Sequence, residues 1–330
     1  MTVTGCGGFL GSEIVRQLIE RGDQVTGISR GEYPDLVKRG MKHCRGDLRD
    51  AEFVKASVRD CDSVIHTAAV AGVWGPWQHF YSINKLATDH VLAACRANRI
   101  PQCVFTSSPS VTFDGEHQRG VSETVPYASR WLCHYPHTKA LAEQAVLDAH
   151  DPEQLATLAL RPHLIWGEED PHILPRILDR ARSGRLRIVG DGSNVVDTVH
   201  VVNAAAAHLD AVDALAKTPE KSGGKAYFIA QDEPVNCWDW IRDICSLGHV
   251  SPPQKRISYA AAYRIGGILE TAYRISGRKK EPPMTRFVAA QLARDHYFCM
   301  ASAKENLGFH VRLRMDEGLD RLGKAWKQRG

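Results

Sequence analysis

The stretch "TGCGGFLGSE" sets Gly5, Gly8 and Gly11 three residues apart, between a short β-branched run, "MTVT", and an amphipathic run, "SEIVRQLIERG". Few folds accept such a turn. One glycine permits the tight bend, a second lets a phosphate approach the backbone, and the third lets helix and strand pack closely. The following helix presents unpaired N–H groups and the positive end of its dipole at the same place. Ile14, Val15, Leu18 and Ile19 recur at helical spacing, and "DQVTGIS" reads as a second strand. Strand, glycine turn, helix and strand within about 30 residues form the unit of a parallel, dinucleotide-binding sheet. A glycine turn without a ligand is the competing reading, and the strand–turn–helix setting argues against it.

The alternation continues. "DSVIHTAA", "QCVFTSS" and "ATLALRPHLIWG" are short apolar strands, and "INKLATDHVLAACRAN" and residues 136–149 are helices. Uninterrupted apolar strands belong in a sheet covered by helices on both faces. The fold class expected is therefore α/β, a Rossmann-type doubly wound parallel sheet. After Gly167 the alternation breaks. Residues 168–194 are rich in Pro, Gly and Arg, "TVHVVNAAAAHLDAVDAL" restores one strand edge and a helix, and helices and loops with little strand follow from Asp232. The division expected is a nucleotide-binding domain of 1–167 plus 195–230 and a smaller, mostly helical C-terminal substrate lobe of 168–194 plus 231–330. The chain starts so near the glycine turn that its first strand reads as clipped.

Composition excludes several classes. The net charge is +4 and the basic residues are dispersed, apart from Arg274–Lys280. That is no footprint for nucleic acid. Nine cysteines, an odd number with no C-x-x-C pair, fit buried thiols in a reducing compartment, and no metal is expected. No apolar run reaches about 20 residues, and the start lacks a signal-peptide pattern, so a cytoplasmic protein without a span is expected. The most apolar helix candidate is "YAAAYRIGGILETAYRIS", residues 259–276. It reads first as an amphipathic cover for the core. A wall of a hydrophobic tunnel, or a patch against a membrane or partner enzyme, is the other reading, and "RISGRKK" beside it suits an anionic surface.

The second strand ends "GISRG". An NAD site would carry a carboxylate there for the ribose 2′-hydroxyl. Ser29 and Arg30 stand there instead, and Arg30 suits a 2′-phosphate, so NADP(H) is favoured over NAD(H). Asp47 and Leu48 of "GDLRD" are placed to meet the adenine. Farther along, "LCHYPHTKALAEQAV" puts Tyr135 and Lys139 one helical turn apart, with Pro136 tolerated at a helix start. A tyrosine must leave its ordinary pKa of about 10 to trade protons at neutral pH, and a nearby ammonium is expected to pull it down. "VFTSSPSVTF" ends a strand in hydroxyls at Thr106, Ser107, Ser108 and Ser110. Ligands of open parallel sheets collect beyond such strand ends. One crevice can thus hold Ser108 as donor to a carbonyl oxygen, Tyr135 as its proton source and Lys139 on the cofactor ribose. That is the chemistry of a secondary alcohol/ketone pair. His134 and His137 flank the tyrosine and read first as solvent-facing helix-start residues, with contact to a substrate carboxylate the other reading; Trp74, Trp77 and His79 read equally as substrate-channel groups or loop anchors.

These motifs, "TGCGGFLG", "HTAA", Asn84 in "YSINKLATDHVLAAC", "TSSPSV", "YPHTK", "LRPHLIWG" and "VHVVNAAAAHLDA", resemble the extended short-chain dehydrogenase/reductase family over most of the chain. The branch resembled contains 3β-hydroxysteroid and sterol-4-carboxylate dehydrogenases. "TSSPSVTFDG", "HYPHTKALAE", "RKKEPPMTRF" and "ASAKENLGF" look closest to bacterial 2-alkyl-3-oxoalkanoate reductases of long-chain olefin synthesis. The resemblance implies that Tyr135 is the proton donor, Lys139 its partner and Ser108 the oxyanion donor. It implies that Pro162 borders the nicotinamide, that Ala68 and Ala69 flank the adenosine ribose and phosphates, and that Phe9, Leu10, Asn84 and Thr106 complete the cofactor set. The activity implied is NADP(H)-dependent reduction of a lipid-like 2-alkyl-3-oxoalkanoate to its 3-hydroxy acid. Steroid dehydrogenase, nucleotide-sugar epimerase or reductase, and a non-catalytic NADP-binding regulator are the alternatives. A homodimer through helices 83–98 and 136–149 is implied as well. Cys6 departs from the family's small residue and is expected to tighten the turn.

Overall fold

The computed structural model describes residues 1–329. Seven strands form the central sheet: β1 (Thr2–Thr4), β2 (Thr26–Ser29), β3 (Lys42–Arg45), β4 (Ser63–His66), β5 (Gln102–Thr106), β6 (Ala156–Pro162) and β7 (Ala226–Ile229). All neighbours run parallel, in the spatial order β7-β6-β5-β4-β1-β2-β3. The order reverses between β1 and β4, which leaves a crevice beyond their carboxyl ends. β1 is three residues long, as its sequence suggested, yet Val3 pairs with Gly27 on one side and Ile65 on the other. Both neighbours satisfy its backbone.

Helices cover both faces. On one, α1 (Phe9–Arg21) packs through Ile14, Val15 and Leu18 against Val3, Val104, Leu158 and Leu160 of the sheet. On the other, α2 (Ala87–Ala97) and α3 (His134–Asp148) place Val91, Cys95, Ala142 and Val146 against Val64, Phe105 and Ala159. The alternation of Val104 with Phe105, and of Leu158 with Ala159, follows the two-residue period of a strand buried on both sides. Each fully buried side chain of this size contributes about 1.5–3 kcal/mol. Cys6 turns inward, and Gly27 makes room for it: a Cβ there would lie 2.7 Å from its sulfur.

Beyond β6 the chain departs from one expectation. "ATLALRPHLIWG" is not a single strand. It stops at Pro162, turns through Leu164 at φ 43°, and resumes at Ile165–Trp166, paired with Val199–His200. The left-handed turn re-aims the segment away from the sheet toward the crevice. A third core then forms around Trp166, Trp238, Trp240, Ile241 and Leu178, the last on α4 (Ile173–Arg182). α5 (Val201–Lys217) returns to pack on the central sheet's face. A small four-stranded sheet joins Val235–Asn236, Val195–Val196, His296–Phe298 and Gln118–Val121. It draws strands from both sides of the nucleotide-binding segments, so the little strand expected past Asp232 is real but structurally important.

α6 (Tyr259–Ile275) buries Ala262, Gly266 and Glu270. A Cβ on Gly266 would lie 2.7 Å from the Thr285 backbone, so this glycine permits a close approach. Its outer face leaves Ile265, Ile268 and Ile275 in solvent at 43%, 68% and 84% exposure. Among the described residues no helix is long and apolar enough to cross a membrane.

Candidate active site

The glycine turn is built by contacts that exclude side chains. Gly5 has φ 69°, its N–H donates to Ile28 O at 2.8 Å, and Gly8 N–H donates to Gly5 O at 2.9 Å. A Cβ on Gly11 would lie 2.2 Å from Gly5 O. Gly8 stands at the N-cap of α1 without a side-chain cap, so the first N–H groups of the helix remain available to phosphate. Gly7 was not among the residues singled out in the sequence. A Cβ on it would fall 1.8 Å from the Tyr33 ring, which lies across the turn. Tyr33 comes from a loop after β2 with no motif to mark it.

These groups open into one cavity of about 1000 Å³. Gly5, Gly8, Phe9, Leu10 and Gly11 line it at the start of α1, Ser29, Arg30, Asp47 and Leu48 line it beyond β2 and β3, and Ala68 and Ala69 line it beyond β4. Thr106, Ser108, Tyr135, Lys139 and Pro162 line its β5–β6 side. The exception among the expected cofactor residues is Asn84, which does not line the cavity. Its side chain is spent on the protein: Oδ1 accepts from Val70 N–H at 2.8 Å, and Nδ2 donates to Val70 O at 3.2 Å and Thr138 Oγ1 at 3.1 Å. It sits in a π-helical turn, Tyr81–Leu86, and ties the loop after β4 to the helix carrying Tyr135.

At the β2 end Ser29 Oγ meets His43 Nε2 at 2.8 Å. Arg45 pairs with Glu32 at 2.6 Å and donates to Arg30 O at 3.1 Å. The Arg49 hydrogen bonds, aided by Arg30, pull the Asp47 carboxyl down to about 2. Among the described residues Arg30 makes no ion pair within 4 Å, although its charge acts on Asp47.

Ser108, Tyr135 and Lys139 all line this cavity, but their electrostatics differ from the sequence expectation. α3 begins at His134, two residues before Pro136, so Pro136 lies in the first turn, where a missing N–H still costs nothing. Lys139 is buried, donates to Thr106 O at 2.5 Å, and lies 3.9 Å from the Phe105 ring centre. Burial pulls its ammonium down to about 7, opposed by Glu143 one turn on. Glu143 is itself held by Arg161 at 3.0 Å and Tyr127 at 2.8 Å. Burial pushes the Tyr135 phenol up to about 12, and the Ser108 hydroxyl opposes it. The ammonium therefore does not acidify the phenol as expected, because it is turned onto a carbonyl and a ring. Tyr135 is protonated across the neutral range, which suits a donor. Ser108 caps the turn Pro109–Thr112, its Oγ 2.9 Å from Ser110 Oγ.

The far half of the cavity is apolar with a few cations. Ile173, Arg176, Ile177 and Arg180 share one face of α4 and line it. Asp170 fixes the start of α4 by accepting from His172 N–H at 2.8 Å and Leu174 N–H at 2.7 Å. Glu281 pairs with Arg176 and lies 3.9 Å from Arg180. Phe287, Gln291 and His296 line the cavity as well, and His163 lines it directly after Pro162. Glu281 and Phe287 fall within "RKKEPPMTRF", but nothing in the sequence joins them to Arg176, Arg180 or His163, since the fold brings together segments more than a hundred residues apart. Trp77 packs 4.9 Å from His137, which stacks on Trp131 at 5.0 Å, and Trp74 donates to Arg278 O at 3.1 Å. None of these four lines the cavity, so they anchor loops.

The sequence profile described as the 3-beta hydroxysteroid dehydrogenase/isomerase family matches residues 2–257. A 2-alkyl-3-oxoalkanoate reductase of Shewanella oneidensis is 45% identical over 326 residues, which cover 97% of this chain and 84% of that protein. A sterol-4-alpha-carboxylate 3-dehydrogenase, decarboxylating, of Mus musculus is 32% identical over 98% of this chain and 90% of that one. The solved structure of MoeE5 in complex with UDP-glucose and NAD superposes with a TM-score of 0.74 at 25% identity, covering 99% of this chain and 98% of that one.

Proposed function

This chain belongs to the 3-beta hydroxysteroid dehydrogenase/isomerase family, and from that premise we propose that it reduces a 2-alkyl-3-oxoalkanoate to the 3-hydroxy acid with NADPH. It is an oxidoreductase of the short-chain dehydrogenase/reductase type. The observation that carries the reading is the single cavity in which the glycine turn, Ser108, Tyr135 and Lys139 open onto apolar walls. Its glycine cradle and uncapped helix start fit a dinucleotide. When bound, the nicotinamide supplies the hydride. The protein's part is alignment and charge. Tyr135 gives its phenolic proton to the ketone oxygen, Ser108 donates to the same oxygen, and Lys139 holds the ribose. Pro162 borders the nicotinamide. Arg30, which lines the cavity and makes no ion pair among the described residues, supports the NADP(H) preference. The segments 168–194 and 231–330 supply the substrate walls, and the relative's name supports a lipid-like acid.

A homodimer belongs to the same reading. Leu86, just before α2, and Leu141, on α3, face solvent at 37% and 36% exposure. These are the helices a four-helix interface would use. One observation favours a second substrate class: Arg176 and Arg180 in the cavity suit a diphosphate, as a nucleotide sugar would need. Glu281 against both weighs toward the first reading.

The test is NADPH oxidation with three substrates: a long-chain 2-alkyl-3-oxoalkanoate, a 3-oxosteroid and a UDP-sugar. Turnover of the first at the greatest kcat/KM is expected. Turnover of the UDP-sugar alone would transfer the assignment to the epimerase class. Cofactor binding without any turnover would leave a regulator.

A further inference from the structure

Pro162 ends β6 at the catalytic side of the cavity, and His163 follows it. Its N–H still donates to Ile229 O at 3.1 Å, the chain turns only at Leu164, and the His163 ring lines the cavity at 7% exposure. His163 Nε2 lies 2.7 Å from His296 Nδ1, and His296 Nε2 lies 2.8 Å from Gln291 O. A carbonyl only accepts, so His296 Nε2 must donate to it. In the neutral ring its Nδ1 is then an acceptor, and His163 Nε2 must donate to that. The chain of three groups fixes both tautomers. It leaves His163 Nδ1 as a lone pair with no hydrogen-bond partner among the described residues, on a ring that lines the ligand space.

Such a lone pair is matched by a proton, and a proton there would be matched by an anion. The named substrates of two relatives share one geometry. In a 2-alkyl-3-oxoalkanoate the carboxylate is borne by the carbon next to the ketone carbon. In a sterol-4-carboxylate oxidised at carbon 3 it is borne by the neighbouring carbon too. A carboxylate so close to the reacting carbon must sit near the nicotinamide wall, where residue 163 stands. We propose that His163, held in place by His296 and Gln291 O, receives the substrate carboxylate and takes up one proton as the acid binds. His163 Nδ1–H then donates to the carboxylate, while the two inner hydrogen bonds stay as they are. This rests on the reading of the substrate as a β-oxo acid.

The surroundings are compatible with a pair that is neutral before the acid arrives. Burial pulls both rings below the ordinary histidine range, and each lowers the other or is lowered by a neighbouring imidazole. Beside His296, Asp295 favours the cation and His117 opposes it. Asp295 is already held by His117 at 2.9 Å, Arg119 at 2.5 Å and Val195 N–H at 2.7 Å. Within the cavity Lys139, Arg176 and Arg180 oppose a further charge, while Glu281 is committed to the arginines and Tyr135 is neutral. An incoming carboxylate is the missing counterion. Binding then weakens as pH rises, by about tenfold per unit while one proton is taken up.

The experiment titrates the NADPH-loaded enzyme with a 2-alkyl-3-hydroxyalkanoate, a pair that cannot react. Calorimetry in buffers of different ionisation enthalpy counts protons. About one proton per acid is expected for the wild type and none for the methyl ester, which should bind about tenfold or more weakly at pH 7. His163→Gln should abolish uptake and erase the acid–ester difference while NADPH affinity is unchanged. His296→Gln should diminish uptake, and Tyr135→Phe should keep it. Acid binding without proton uptake in the wild type would overturn the proposal, as would His163→Gln retaining the preference for acid while Arg180→Gln loses it. If neither acid nor ester binds and a nucleotide sugar does, the substrate reading has failed instead.

Discussion

Lys139 is a buried ammonium with one carbonyl partner and an aromatic face, and its low pKa is a statement about stability. Below pH 7 the folded and unfolded chains both carry the proton, and the burial penalty is fully expressed. Between about 7 and the unfolded value of about 10.4 the unfolded chain keeps a proton that the folded chain has lost, so stability rises with pH. Lys139→Met should therefore stabilise the fold, by on the order of 2 kcal/mol more at pH 6 than at pH 9, while activity collapses. Denaturant unfolding at both pH values checks this; a gain independent of pH would contradict it. Arg30→Ala should raise KM for NADPH about ten- to hundredfold and leave NADH unchanged, as expected for losing one charge-assisted contact. Equal losses with both cofactors would remove the 2′-phosphate argument. At this scale the residue types and spacings of Ser108, Tyr135, Lys139 and Arg30 were legible in the chain. Their ionisation was not, because it depends on which carbonyl a lysine turns to and how much water a phenol loses. The partners of Asn84 were not legible either, since nothing in the sequence joins it to Val70 and Thr138.

Elements were easiest to read where period and punctuation agreed. α1, α3, α5 and β1, β2, β4, β5 and β6 follow from apolar spacing and the glycine turn, whereas β3 and β7, four residues each, carried no such signal. The break at Pro162–Leu164 was invisible, because an apolar run does not announce a left-handed residue within it. The glycine contacts give a graded prediction. Gly11→Ala drives a Cβ into the backbone of Gly5 and should cost on the order of 3 kcal/mol with loss of cofactor binding. Gly267→Ala, on α6, meets nothing closer than 3.6 Å and should be neutral or stabilising by up to about 1 kcal/mol. Thermal unfolding with and without NADPH separates the two; equal effects would mean that the turn is not packed as described.

At the scale of the molecule, the fold class was legible because strand–helix alternation admits few topologies. The walls of the substrate end were not: α4, the Glu281 loop and the histidine pair meet only in three dimensions. The assembly has its own test. Leu141→Glu should convert a dimer to a monomer in light scattering, and a monomeric wild type would dissolve the four-helix proposal. What the whole arrangement must do is move a hydride to one carbon while a phenol protonates the neighbouring oxygen. The most direct measurement uses NADPH deuterated at the transferable position of nicotinamide C4, with a 2-alkyl-3-oxoalkanoate as substrate. Mass analysis should find one deuterium at carbon 3 of the hydroxy acid, and Tyr135→Phe should slow its appearance by about a hundredfold to ten-thousandfold with NADPH still bound. Deuterium absent from carbon 3, or an unslowed Tyr135→Phe enzyme, would contradict the account.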